Sequence, residues 1–167
     1  AYQLVHLSTG DIFRANIKGA TDLGQLAQSY MNQGQLVPDD VTINMLEAEV
    51  NKHPEAKGFI FDGFPRTTAQ AEALDALLTR RGAPVSGMLS LVVPEAELKD
   101  RLMKRAATSG RPDDADPAVV AKRIEVYREE TAPVAAHYGA QGKLHEIDGV
   151  GSLEDITARL RAAIDSI

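Results

Sequence analysis

Phe59-Ile60-Phe61-Asp62-Gly63-Phe64-Pro65-Arg66-Thr67-Thr68-Ala69-Gln70 carries the decisive reading of this sequence. Three consecutive apolar side chains suit a short buried strand, and Asp62-Gly63 supplies residue types that end one in a turn. Thr67 with Gln70 three residues on has the spacing of a helix capping box, and Leu74, Leu77 and Leu78 continue at helical spacing. The stretch predicts strand, turn and helix in immediate succession, with Gly82 placed to stop the helix.

The same succession recurs on both sides. Leu4–Leu7, Met88–Val93 and Leu144–Ile147 are three further short apolar runs, separated by longer helical patterns. Strands alternating with helices predict parallel βα units, so the expected fold class is α/β, a parallel sheet flanked by helices. Pro94 can open a helix after the third run. Asp116-Pro117 offers a cap and a proline suited to a first turn, and Ser152 with Asp155 resembles another capping box. Two helical patterns, 22–33 and 38–51, separate the first two strands; one crossover needs less, so they predict a small helical subdomain.

The 167 residues, 44% of them hydrophobic, suit one domain with a real core. With no cysteine, disulfides and Cys-ligated metal sites are excluded. A formal charge of −6 and only 5% aromatics argue against a general nucleic-acid binder. The apolar runs are far too short to cross a bilayer, and a soluble, cytoplasmic protein is expected. Between Arg101 and Arg128, however, seven basic side chains face four acidic ones. Charge counting alone leaves open an anion site or a solvated, salt-bridged helix face.

In open α/β sheets ligands bind outside the carboxyl ends of the strands. Ser8-Thr9-Gly10-Asp11 follows the first run, with Arg14 a turn later; Asp62-Gly63-Phe64-Pro65-Arg66 and Gln70 follow the second. After the third, Arg101 and Arg105 share a helix face, and Gly110-Arg111-Pro112-Asp113-Asp114 and Arg123 come next. Taken singly, Ser8 and Asp11 could merely cap a helix, as could Thr67 and Gln70, and Arg101 and Arg105 could pair with Glu97 or Asp100. Their joint placement at consecutive strand ends points to an anionic ligand.

In order and spacing these motifs resemble the adenylate kinases and the wider nucleoside monophosphate kinases, in their short-lid form, over essentially the whole chain. The resemblance implies a P-loop-kinase-like fold: a single domain over 1–167, an AMP-binding helical subdomain at 22–51 and a short lid at 105–116. It implies reversible transfer of the terminal phosphoryl group of ATP to AMP, with Mg²⁺ accompanying ATP, by a monomer. Thr9, Arg14, Arg66 and Gln70 would bind AMP, with Gly63, Phe64, Pro65 and Arg66 forming the turn around it and Gln35, Leu36 and Val37 contacting adenine. Arg111 and Arg123 would bridge the phosphates as the lid, a loop from Ala106 to Gly110, closes. Arg101 and Gly151 would lie near the ATP base, Arg105 would reach ATP phosphate, and Asp62 would meet Mg²⁺-bound water. A pyrimidine nucleoside monophosphate kinase and a non-catalytic nucleotide-binding module are the alternatives.

The family's phosphate loop, G-x-x-x-x-G-K-[ST], has no match in the sequence. Gly58 and Gly63 have the spacing, but Phe64 stands where lysine is needed; Gly142-Lys143 lacks the upstream glycine and the following Ser/Thr. By resemblance the first apolar run corresponds to the family's second strand. A leading βα unit of on the order of 30 residues is therefore expected ahead of it, its strand lying between Phe59–Phe61 and Met88–Val93. Those two runs are apolar on both faces, as buried parallel strands are.

Overall fold

The computed structural model describes residues 2–167. Four strands alternate with helices: β1 (Val5–Ser8), β2 (Phe59–Asp62), β3 (Met88–Val92) and β4 (Leu144–Asp148). All pairing is parallel, so the α/β reading holds. β1 pairs with β2, and the register sets Ser8 beside Asp62; β3 pairs with β4, setting Met88 beside Leu144. The strands thus form two separate pairs, and among the described residues no strand joins β2 to β3.

Helices α1 (Thr9–Lys18), α2 (Asp22–Met31) and α3 (Asp39–Asn51) lie between β1 and β2, and α4 (Thr68–Arg80) follows β2. The sequence signals for their starts are physical. The Ser8 hydroxyl accepts from Asp11 N–H, Thr21 from Gly24 N–H and Thr67 from Gln70 N–H, each satisfying an orphan donor of a first turn. α1 and α2 approach so closely that a Cβ on Gly24 would lie 2.2 Å from the Asn16 carbonyl oxygen. One core cluster, Leu7, Leu46, Val50, Phe64, Leu74, Leu77 and Leu78, joins β1, α3 and α4; a second, Phe13, Ala27, Val37 and Met45, holds α1, α2 and α3 together.

The second half is built differently. α5 (Glu95–Ser109) follows β3, then come α6 (Pro112–Ala115), α7 (Pro117–Val126) and α8 (Ala132–Gly139), and α9 (Leu153–Asp165) follows β4. Asp116 caps α7 ahead of Pro117, and Ser152 with Asp155 makes the full reciprocal capping box of α9. α5 contributes no buried residue. Ile60, Leu91 and Val92 are 41%, 44% and 51% exposed, so β2 and β3 do not show the two-sided burial that their apolar composition predicts. Among the described residues each is hydrogen-bonded along one edge only, to β1 and to β4 respectively.

The expected loop from Ala106 to Gly110 is helical: α5 runs to Ser109 and ends at Gly110 in the left-handed conformation, φ +61°. Ala106, Ala107, Thr108 and Ser109 carry nothing that breaks a helix, and the αL glycine is the C-cap signal. Between α7 and α8, residues Tyr127–Thr131 form a π turn in which Ala132 N–H donates to the Tyr127 carbonyl. Pro133 follows, and its missing N–H could not have continued an α-helical ladder. α8 then packs on α4 through Ala71, Val134 and Tyr138. There the Tyr138 hydroxyl donates to Asp75 at 3.1 Å, and the ring of His137 lies 2.8 Å from the same carboxylate. Burial, then the Asp75 charge, pushes the Tyr138 hydroxyl up, keeping it a donor.

Candidate active site

Because β1 and β2 end at the same level, the segments that follow them converge. Ser8, Gly10, Asp11, Arg14, Asp62, Gly63, Arg66, Arg111 and Arg123 line one cavity of about 160 Å³. Four arginines there face two carboxylates, and the N-terminus of α1 opens on the same side. The arrangement can hold a phosphate. A second depression, about 300 Å³ along α9 between Leu153 and Arg161, brings no such set together.

The turn after β2 is fixed by its own bonds. Gly63 adopts φ +70°, and a Cβ there would meet the Arg66 guanidinium at 2.9 Å, so glycine is required for both backbone and space. The Gly63 carbonyl accepts from the Thr9 hydroxyl at 3.0 Å and from Arg66 Nε at 2.8 Å. Thr131, in the π turn, donates its hydroxyl to the Arg66 carbonyl at 2.8 Å. Arg66 is therefore oriented before any ligand arrives. Burial, then the neighbouring cations Arg123 and Arg14, depress its pKa below the ordinary guanidinium range without removing its charge. Arg14 pairs with Asp11, and His6 Nε2 lies 3.3 Å from Asp62.

Arg105 and Arg123 are joined by a carboxylate that charge counting did not single out. Asp114, whose side chain is fully buried, accepts from Arg105 Nε at 2.5 Å and Nη2 at 2.8 Å, and from Arg123 Nη1 at 2.6 Å. Asp113 adds a second contact to Arg123 at 3.0 Å. Burial pulls the Asp114 carboxyl upward, yet the hydrogen bonds from Arg105 and Arg123 hold it below the usual carboxylate range. Asp114 and Asp113 thus partly neutralise Arg105 and Arg123 without a ligand.

The remaining predicted residues lie outside the cavity lining. Val37 and Phe64 are core residues, at 5% and 6% exposure, with Gln35 and Leu36 in the turn between α2 and α3 and Pro65 beside Phe64. The turn after α2 packs on α7: a Cβ on Gly34 would lie 2.7 Å from the Val119 carbonyl oxygen. Gln70 is buried, its Oε1 accepting from Arg66 N–H at 2.8 Å and its Nε2 donating to Asp39 at 2.8 Å. Arg101 does pair with Glu97, at 2.8 Å, but it also donates to the Gly149 carbonyl at 2.8 Å, tying α5 to the loop that contains Gly151. Asp39, Asp114, Thr131 and Gly149 are the participants that sequence motifs missed; of these, only Asp114 lay inside a quoted motif.

The adenylate kinase family model matches residues 1–143. Adenylate kinases of Flavobacterium psychrophilum and Flavobacterium johnsoniae are each 48% identical over 166 residues, covering 99% of this chain and 87% of theirs. That of Bacteroides fragilis is 45% identical over the same extent. With identity at this level across nearly the whole chain, on top of a cavity built from four arginines at two parallel strand ends, the chain belongs to the adenylate kinase family.

Proposed function

We propose that the chain transfers the terminal phosphoryl group of ATP to AMP, giving two ADP, and that the arginine-lined cavity holds the AMP phosphate. The observation that carries this reading is the convergence of Arg14, Arg66, Arg111 and Arg123 on one space at the ends of β1 and β2. Phosphoryl transfer asks a protein chiefly to position two anions and to stabilise spreading charge, and arginine's planar fork suits both tasks. With Nε committed to the Gly63 carbonyl, Arg66 presents its terminal nitrogens in a set direction. A phosphate dianion between Arg66, Arg14 and Arg123 relieves the repulsion among them. No general base is needed, since the nucleophile is already a phosphate oxygen.

Thr9 and the Gly63–Arg66 turn shape the nucleotide site, Gln70 reads the adenine edge, and residues 35–37 supply backbone to the base. Arg101, Arg105 and the loop at Gly151 serve ATP. Residues 105–116 act as the lid, bringing Arg111 and Arg123 onto the phosphates when both nucleotides are bound and excluding water, which would otherwise accept the phosphoryl group. Mg²⁺ would accompany ATP, held by the nucleotide and water rather than by a protein cage. Asp62, its side chain 64% exposed beside the cavity, fits as acceptor for such a metal-bound water. Mg²⁺, when bound, would neutralise charge on the transferred group. We assign the protein to the cytoplasm as a monomer, as the family resemblance implies; separately, among the described residues no helix is long and apolar enough to cross a membrane. A coupled assay of the intact protein with AMP, CMP and UMP as rival acceptors tests the reading: AMP should be strongly preferred, and equal turnover of CMP or UMP would refute it.

A further inference from the structure

Gln70 is 2% exposed and only half used. Its amide has two acceptor sites on Oε1 and two N–H donors on Nε2. Arg66 N–H takes one acceptor site at 2.8 Å, and Asp39 takes one donor at 2.8 Å. Among the described residues neither atom has a second partner, and at 2% exposure bulk water does not supply one. One donor and one acceptor position of the amide are thus uncommitted.

The order of that donor and acceptor is not free. Arg66 N–H can only donate and the Asp39 carboxylate can only accept, so exchanging Oε1 and Nε2 would set donor against donor and acceptor against acceptor. Asp39 is itself held. Its Oδ1 also accepts from the Thr67 hydroxyl at 3.0 Å, and that hydroxyl in turn accepts from Gln70 N–H at 3.2 Å. The first residue of α3 thereby fixes the amide of the first turn of α4, 31 positions away in sequence.

We propose that Asp39 is a specificity-determining positioning residue: by locking the Gln70 amide in one orientation it selects a base presenting an acceptor beside an exocyclic donor and rejects one presenting the reverse. Adenine, with N1 accepting and N6–H donating, matches the locked order. Hypoxanthine, with N1–H donating and O6 accepting, requires the flipped amide. The proposal rests on Gln70 reading the base, and the experiment separates the two claims.

Binding of AMP and of inosine monophosphate to the intact protein is measured by titration calorimetry, with displacement for the weaker ligand, and read as the ratio of the two Kd values. Asp39→Ala should lower the preference for AMP by at least ~10-fold, the scale of one hydrogen bond to a charged group. Asp39→Asn, which keeps an acceptor at the same place, should hold the ratio within about three-fold of wild type by the same reasoning. Gln70→Ala should abolish the preference. If Asp39→Ala does not fold, Asp39→Ser replaces it, since a hydroxyl both donates and accepts and suits a first helical turn; its ratio is judged against the same expectation. An unchanged ratio in Asp39→Ala, or in Asp39→Ser where it stands in, or equal weakening of both ligands there, alongside a collapsed ratio in Gln70→Ala, overturns the positioning role and leaves base reading by Gln70 standing. An unchanged ratio in Gln70→Ala overturns both.

Discussion

The half of the molecule around β1 and β2 and the half around β3 and β4 solve the same folding problem to different degrees. In the first, core clusters tie α1 to α4 onto the strands, and Arg66, Thr9 and Gln70 are held by hydrogen bonds that need no ligand. In the second, α5 buries nothing, Leu91 and Val92 are about half exposed, and Arg101 is anchored mainly through Glu97 and the Gly149 carbonyl. Preorganisation is therefore uneven: the first half is built to a fixed shape, and in the second β3 and α5 lie largely at the surface. Fixed donors and charges stabilise a transition state without reorganising at the moment of reaction, so the chemistry should depend most on the first half.

The largest expected effect compares the two cores directly. Leu46→Ala should cost about 2–5 kcal/mol in urea unfolding, because a fully buried leucine leaves a cavity. Leu91→Ala, at 44% exposure, should cost no more than about 0.5 kcal/mol. Comparable losses at both positions would break the contrast. Next is Arg66→Ala, expected to lower kcat/KM for AMP by more than ~100-fold with little change in melting temperature; Arg66→Lys should recover little, lacking the planar fork. Steady-state kinetics with AMP varied would decide it, and near-normal turnover would remove Arg66 from the phosphate site.

A smaller effect concerns the carboxylate between Arg105 and Arg123. The folded-state pKa of Asp114 is depressed, so its stabilisation is present above the unfolded value of about 3.9 and is lost as pH falls through the lower folded value. Acid titration of the melting temperature should therefore show a drop below about pH 4 that is weaker in Asp114→Asn. Identical acid profiles would place the carboxylate outside the stability balance. The smallest effect is expected at Arg101, which is partly exposed: Arg101→Ala should raise KM for ATP by less than ~10-fold and leave KM for AMP unchanged, as a weakened uniform contact does.

Legibility in the sequence followed the range of the interaction. Strand ends and caps are written within a few residues, and Ser8, Thr67, Asp116 and Ser152 each bond where their spacing says. Thr67 and Gln70 departed from the reciprocal box in one respect: the Gln70 side chain reaches Arg66 N–H instead of returning to Thr67. Contacts that close over long separations carry no local pattern. Nothing near Asp39 announces Gln70, and nothing near Thr131 announces the Arg66 carbonyl. The αL glycine at Gly110 ends α5, whereas the family resemblance implied a loop from Ala106 to Gly110.

The π turn at Tyr127–Thr131 makes length, rather than identity, the constrained property of that segment. Arg128, Glu129 and Glu130 are exposed, so the gene can drift there by substitution. Loss of one codon is another matter. An α-helix turns about 100° per residue, and removing one residue would regularise the turn while rotating everything after it by that angle. Val134 and Tyr138 would leave α4, or Arg123 would leave the arginine-lined cavity, because both ends of one rod cannot keep their facing. In-frame deletions in this stretch should therefore be absent from functional variants in a library where its point substitutions are common.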